Sequence, residues 1–123
     1  MIKVTVKQLV DAAQSGAYGR FANIRKTITA GHKNRKMPMA VLEELKHFET
    51  ARAKIIEECE GKLSKDKTRY EFGEKAAEFT QKFDELMAQP VDDLPGDAIK
   101  LADLLDGGLL ESDYALLEPF LGE

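Results

Sequence analysis

Tryptophan is missing from this chain of 123 residues, and cysteine is reduced to one, Cys59. A single cysteine forms no internal disulfide, so a reducing compartment is the expected setting. Two histidines beside it are too few and too scattered for a Cys/His zinc site, and no metal or other cofactor is expected. Long apolar runs are missing too. The longest uncharged stretch with real apolar content is about ten residues, against the roughly 20 that a bilayer span needs. Met1-Ile2-Lys3 leads into alternation rather than an apolar block, so neither a secretory leader nor a membrane partner is expected.

Catalytic motifs are equally scarce. Gly16-Ala17-Tyr18-Gly19 lacks the spacing and the Lys-Ser/Thr ending of a phosphate loop. No serine sits in a Gly-x-Ser-x-Gly elbow. The acids at 92–106 are dense but lack the Asp-x-Asp-x-Asp-Gly order of a calcium loop. The expectation is a protein without catalytic residues, not an enzyme.

What is abundant is charge, at 33% of residues, distributed as a gradient beneath a net charge of −4. No acid falls between Asp11 and Glu43, a stretch that carries Arg20, Arg25, Lys26, Lys33, Arg35 and Lys36. From Asp84 onward eleven acids face one base, Lys100. Such asymmetry suits a nucleic-acid patch, an acidic interaction surface, or two ends of a fold that attract each other. The six cations, with Asn34 and Tyr18 as hydrogen-bonding neighbours, form the candidate anion or nucleic-acid contact. Against it stand the scarcity of aromatics for base stacking and a pI of about 5.3.

Periodicity gives the architecture. Ile2-Lys3-Val4-Thr5-Val6 alternates as a short strand, and Thr5 with Gln8 makes a capping box that opens a helix. Ala17, Phe21, Ile24 and Ile28 form the stripe of a second helix. From Pro38, Val41, Leu45, Phe48, Arg52, Ile55 and Cys59 step by 4, 3, 4, 3, 4, as in a coiled-coil seam. Phe72, Ala76, Phe79, Phe83 and Leu86 repeat that spacing after a polar turn. Two such helices predict a long antiparallel hairpin over 38–89. After Pro90 come turn residues, then 98–104 as a short strand, with a helical turn as the alternative, expected to pair with the N-terminal one, then a brief helix after Ser112. Arg52, on an apolar seam, either pairs with a carboxylate or reaches water. Cys59 is expected to be a buried, inert thiol.

The fold expected is mainly α in a single domain, 1–123. Its parts are the strand and basic helices of 1–36, the hairpin of 38–89 and the acidic segment of 90–123. The hairpin should pack on the N-terminal helices, and a two-stranded ladder should join the N- and C-terminal segments. The leucines of 103–121 need cover, either from this chain's own core or from a partner anchored by Tyr114, Leu117, Phe120 and Leu121.

Three stretches carry a resemblance: Lys3-Val4-Thr5-Val6-Lys7-Gln8-Leu9-Val10, the helix from Leu42 to Arg52, and the ending from Asp113 to Leu121. Together they resemble a family of short phage- and prophage-encoded proteins of uncharacterised function. The turn at 62–70 departs from that family in being short and basic. The resemblance implies synthesis in the host bacterial cytoplasm, with incorporation in the virion as a further option, and it carries no site residue across. The function expected is a non-enzymatic protein-interaction module. It would be a virion or assembly component, or an inhibitor of a host protein, and it would self-associate through the heptad seams. The alternative is a nucleic-acid-binding accessory protein that uses 20–36.

Overall fold

Thr5 starts the first helix as its spacing predicts. Its hydroxyl accepts from the Gln8 amide at 3.2 Å, and the Gln8 side-chain oxygen accepts from the Thr5 amide at 2.9 Å. This reciprocal cap satisfies two backbone donors that a helix start leaves unpaired. The computed structural model describes residues 1–91 and 93–122. Within them the chain is mainly α with minor β. Helix α1 runs Val6–Gln14, α2 Ala17–Asn23, α3 Ile28–Lys33, α4 Met37–Glu58, α5 Ala76–Ala88 and α6 Glu111–Leu116.

Helices α4 and α5 are the arms of the expected hairpin. Pro38 sits in the first turn of α4, where its missing N–H costs nothing. Between the arms, β1 (Lys62–Leu63) and β2 (Tyr70–Glu71) form a short antiparallel ribbon. Its turn is tied by the Asp66 carboxylate, which accepts from the hydroxyls of Ser64 and Thr68 and lies below the ordinary carboxylate range for that reason. The base of the hairpin packs on α1, which touches both arms. Phe48 is buried, and it meets Phe83 edge-on at 6.2 Å. Phe79 stacks on Phe72 at 3.9 Å, yet Phe79, Phe83, Leu45 and Ile55 are only half-buried, less than a closed seam would make them. Cys59 is fully buried, as its seam position implies. Arg52 is exposed, so its break in the seam is resolved by reaching water and not by a buried ion pair.

Three local expectations are corrected. First, the stripe Ala17-Phe21-Ile24-Ile28 is not one helix. Ile24 is extended, Thr27 caps a new helix by accepting from the Ala30 amide, and Ile28 is 92% exposed. The break has a tertiary cause. Thr27 donates to the Asp103 carbonyl at 2.9 Å and Leu105 donates to the Arg25 carbonyl at 2.8 Å, so 25–27 is drawn into a bridge with 103–105.

Second, the N-terminal segment does not pair with 98–104. It bridges the stretch that reads as turn material: Ile2 with Leu94, and Thr5 with Pro90. The strand within 98–104 shrinks to β3 (Ile99–Lys100), which lies parallel to β4 (Leu121–Gly122). Third, α6 begins at Glu111 rather than after Ser112. Its first turn is capped by Asp113, whose carboxylate accepts from the Leu110 amide at 2.8 Å.

A single apolar cluster holds these pieces together. Ile2 and Val4 from the N-terminus, Leu9 and Ala12 from α1, Tyr18 and Phe21 from α2, Val41 from α4, and Leu94, Ile99, Leu117 and Phe120 from the C-terminal segment are all buried in it.

Candidate functional site

The opposed charges of the two chain ends meet inside the fold. Arg20 on α2 grips Asp113 on α6 with two parallel hydrogen bonds, Nε to Oδ2 and Nη2 to Oδ1, both 2.7 Å. Asp113 is fully buried, while Arg20 keeps about a third of its side chain in water. The Arg20 guanidinium, helped by the Leu110 amide, holds the Asp113 carboxyl well down at about 2. Arg25 makes the same forked contact with Asp106, both bonds 2.8 Å, at the surface. The N-terminal amine lies 3.3 Å from Asp97. Of the readings open to the charge gradient, attraction between two ends of one fold is therefore realised in these pairs.

That geometry places the six candidate cations. Arg20 and Arg25 are engaged by carboxylates. Lys26 donates to the Phe21 and Ile24 carbonyls, both at 2.8 Å, and lies 4.8 Å from the centre of the Phe21 ring. Arg35 donates to the His32 carbonyl at 2.8 Å. Lys33, Arg35 and Lys36 are exposed at the turn from α3 to α4. Asn34, a neighbour expected to help bind an anion, spends its side chain within the fold. Its amide donates to the Ala30 carbonyl at 2.9 Å, and its oxygen accepts from the Asp97 amide at 3.0 Å.

The candidate anchor at the C-terminal end divides. Leu117 and Phe120 have 0% and 1% of their surface exposed. They belong to the core and present nothing to a partner, which corrects their place in that set. Leu121 is half-buried in β4, and Tyr114 alone of the four is exposed. The cover that the C-terminal leucines need is thus partly internal. Leu101, Leu105 and Leu110 stay exposed, and the bridge from 25–27 to 103–105 brings Ile28 into the same region.

A cleft of about 290 Å³ opens between α2, α3, the start of α4 and the C-terminal segment. Ile2, Phe21, Ile24, Met37, Ile99 and Phe120 make its apolar walls. Three rings form one side: Tyr18 lies 5.4 Å from Phe120 and 6.2 Å from Phe21, centre to centre, all tilted. Lys26, Arg35 and Asp97 bring charge to it. Burial lowers the Lys26 ammonium and pushes the Tyr18 phenol up to about 12. No family model, no curated protein and no solved structure matches this chain. The reading of the site therefore rests on its own geometry. Among the described residues no helix is long and apolar enough to cross a membrane, and no cluster of three or more metal-ligating side chains occurs.

The cleft was not visible in the sequence. Its walls come from five separate segments, and Tyr18 reads simply as one aromatic near a basic stretch. The one available signal was Lys26, a cation two residues beyond Ile24 and close to the apolar stripe of Phe21.

Proposed function

We propose that this protein is a non-enzymatic interaction module that self-associates through its helical hairpin. The observation that carries this reading is the incomplete cover of the hairpin. Helix α5 has no fully buried residue, its larger apolar side chains Phe79, Phe83, Leu86 and Met87 all stay partly exposed, and Leu42 near the start of α4 and Leu63 in β1 stand exposed at the two ends of the other arm. A second copy laid against such arms would bury surface that one copy leaves wet. The exposed group of Ile28, Leu101 and Leu105 offers a further contact for a different protein. The resemblance of the N-terminal, α4 and C-terminal stretches supports a phage setting, with the partner a virion or assembly protein or a host protein, in the bacterial cytoplasm or the virion.

Sedimentation velocity across micromolar concentrations tests it. The expected result is a dimer or larger species that Leu42→Glu combined with Leu63→Glu converts to a folded monomer. A wild-type monomer throughout that range overturns the self-association reading.

A second reading is nucleic-acid binding at the α3–α4 turn, favoured by the exposure of Lys33, Arg35 and Lys36. Such binding weakens steeply with salt because neutralised phosphates release counterions. Failure of duplex and single-stranded probes to bind at about 50 mM salt, where such contacts are strongest, removes it.

A further inference from the structure

The cleft holds two polar groups whose bonding is unfinished. An ammonium has three donors, and Lys26 gives two of them to the Phe21 and Ile24 carbonyls. Those bonds fix the nitrogen beside the Phe21 ring and leave one N–H. Among the described residues Lys26 has no carboxylate within ion-pair distance. Tyr18 is 9% exposed, its hydroxyl joins no hydrogen bond among the described residues, and no side-chain polar atom sealed from solvent lacks a partner. The hydroxyl therefore reaches solvent, and Tyr18 is one of the residues that line the cleft with Lys26.

We propose that this cleft binds a small amphipathic carboxylate, its apolar body lying against Tyr18, Phe21 and Phe120 and its carboxylate taken by the Lys26 ammonium and the Tyr18 hydroxyl. The walls set the body: they are aromatic and branched aliphatic, and about 290 Å³ admits a ligand the size of one large side chain, not a nucleotide. The charge sets the head. A cation would meet the Lys26 ammonium, held at the cleft by the Phe21 and Ile24 carbonyls, and be repelled by it. A phosphate dianion would be stripped of water against apolar walls with Lys26 as the one partly buried cation, since the Arg35 guanidinium is exposed and donates to the His32 carbonyl. A monoanion balances Lys26, whose own burial without a counter-charge is unfavourable until such a ligand arrives. The same chemistry is offered by a free acid and by the C-terminal residue of a peptide. The proposal is independent of the self-association reading.

Backbone NMR titration of the full chain tests it with 3-phenylpropionate, its neutral amide, 2-phenylethylamine, and a short peptide ending in phenylalanine. The carboxylate should shift the resonances of Tyr18, Phe21, Lys26 and Phe120 saturably. The amide should bind at least about tenfold more weakly, a difference of one decade in Kd, and the amine should not bind. Lys26→Met should lose at least about tenfold in affinity. Because Lys26 also ties two carbonyls, Tyr18→Phe serves as the second variant. It removes no hydrogen bond of the unliganded protein and should weaken binding severalfold with an unchanged melting temperature. Tighter binding of the peptide than of 3-phenylpropionate assigns the carboxylate to a protein C-terminus, and the opposite order assigns it to a free acid. Equal binding of acid and amide, or no saturable shift up to about 10 mM, well beyond weak-ligand range, overturns the proposal.

Discussion

Phe120→Ala should cost this protein much of its stability. The ring is 1% exposed and packs on Tyr18 and Phe21, with Leu117 fully buried one turn before it. A buried aromatic side chain removes about 150–250 Å² from water. Truncation to a methyl forfeits most of that, roughly 130 Å², or about 3 kcal/mol at about 25 cal/mol per Å². The void adds to the loss, because α2 and α6 are pinned to each other by Arg20 and Asp113 and cannot collapse freely. The total expected is about 3–5 kcal/mol, the usual range for such truncations. For a chain of this size that lowers the melting temperature by roughly 10–20 °C. Urea unfolding followed by circular dichroism measures it, with Tyr114→Ala as the control from the same segment. Tyr114 is 45% exposed, and its loss should cost under about 1 kcal/mol. Removal of 112–123 should unfold or aggregate the chain, since Asp113, Leu117, Phe120 and β4 leave together. A Phe120→Ala protein within about 1 kcal/mol of wild type, the level of an ordinary surface change, would refute the placement of this end in the core.

Other outcomes follow from the same contacts. Asp113 is held at about 2 in the folded protein against about 3.9 unfolded, so its contribution is fully present above about pH 4 and fades as pH falls through 2. The stability difference between wild type and Asp113→Asn should shrink over that window, and a difference independent of pH contradicts the buried pair. Tyr18 is raised to about 12 from an ordinary value near 10, so unfolding gains from phenol ionisation between those values and stability falls there. Tyr18→Phe should flatten that alkaline slope in melting curves, and an unaltered slope would assign it to other groups. Gly96 has φ +115°, and a Cβ there would collide with the Asn34 side-chain oxygen. Gly96→Ala should therefore lose about 1–3 kcal/mol in chemical denaturation, through backbone strain and the displaced Asn34, and equal stability would contradict that contact. Phe79→Ala should cost about 2–3 kcal/mol, less than a fully buried phenylalanine because part of its surface is already wet. A loss as large as that of Phe120→Ala would show the hairpin to be covered in solution.

Local chemistry was legible in the sequence wherever neighbours along the chain decide the outcome. The Thr5–Gln8 cap, the start of α4 at Pro38, the polar turn between the arms and the burial of Cys59 all depend on residues a few positions apart. The 4, 3 spacing found both arms because helix faces repeat on that scale. What remained hidden was set by partners distant in sequence. Single-residue bridges such as Ile2–Leu94 and Lys26–Leu104 have no periodicity to read, so the alternating residues at 98–104 attracted a pairing that belongs to 90–94. The same bridging broke a stripe that continues without interruption to Ile28. Arg52 shows the limit of spacing alone: a seam position carries a buried residue only if the facing arm closes over it, and α5 does not. For the candidate site, the charge gradient announced that cations and acids would meet, but not which. Only the fold separates Arg20, locked on Asp113, from Lys26, set beside an apolar cleft.

The bridges that tie residues 2–5 to 90–94, and Arg20 to Asp113, also impose an order of events on the chain as it is made. Synthesis runs from the N-terminus, so Leu9, Val10, Phe21 and Ile24 are exposed to the cell before the residues that cover them exist. The hairpin between them needs only neighbours to form, because its contacts span a few tens of residues. A chain that extends only to the end of α5 can form the hairpin and dock it on α1, but it leaves the basic, apolar face around Phe21 without Leu117 and Phe120. The acidic segment that follows α5 is drawn to that surface by opposite charge and closes the core.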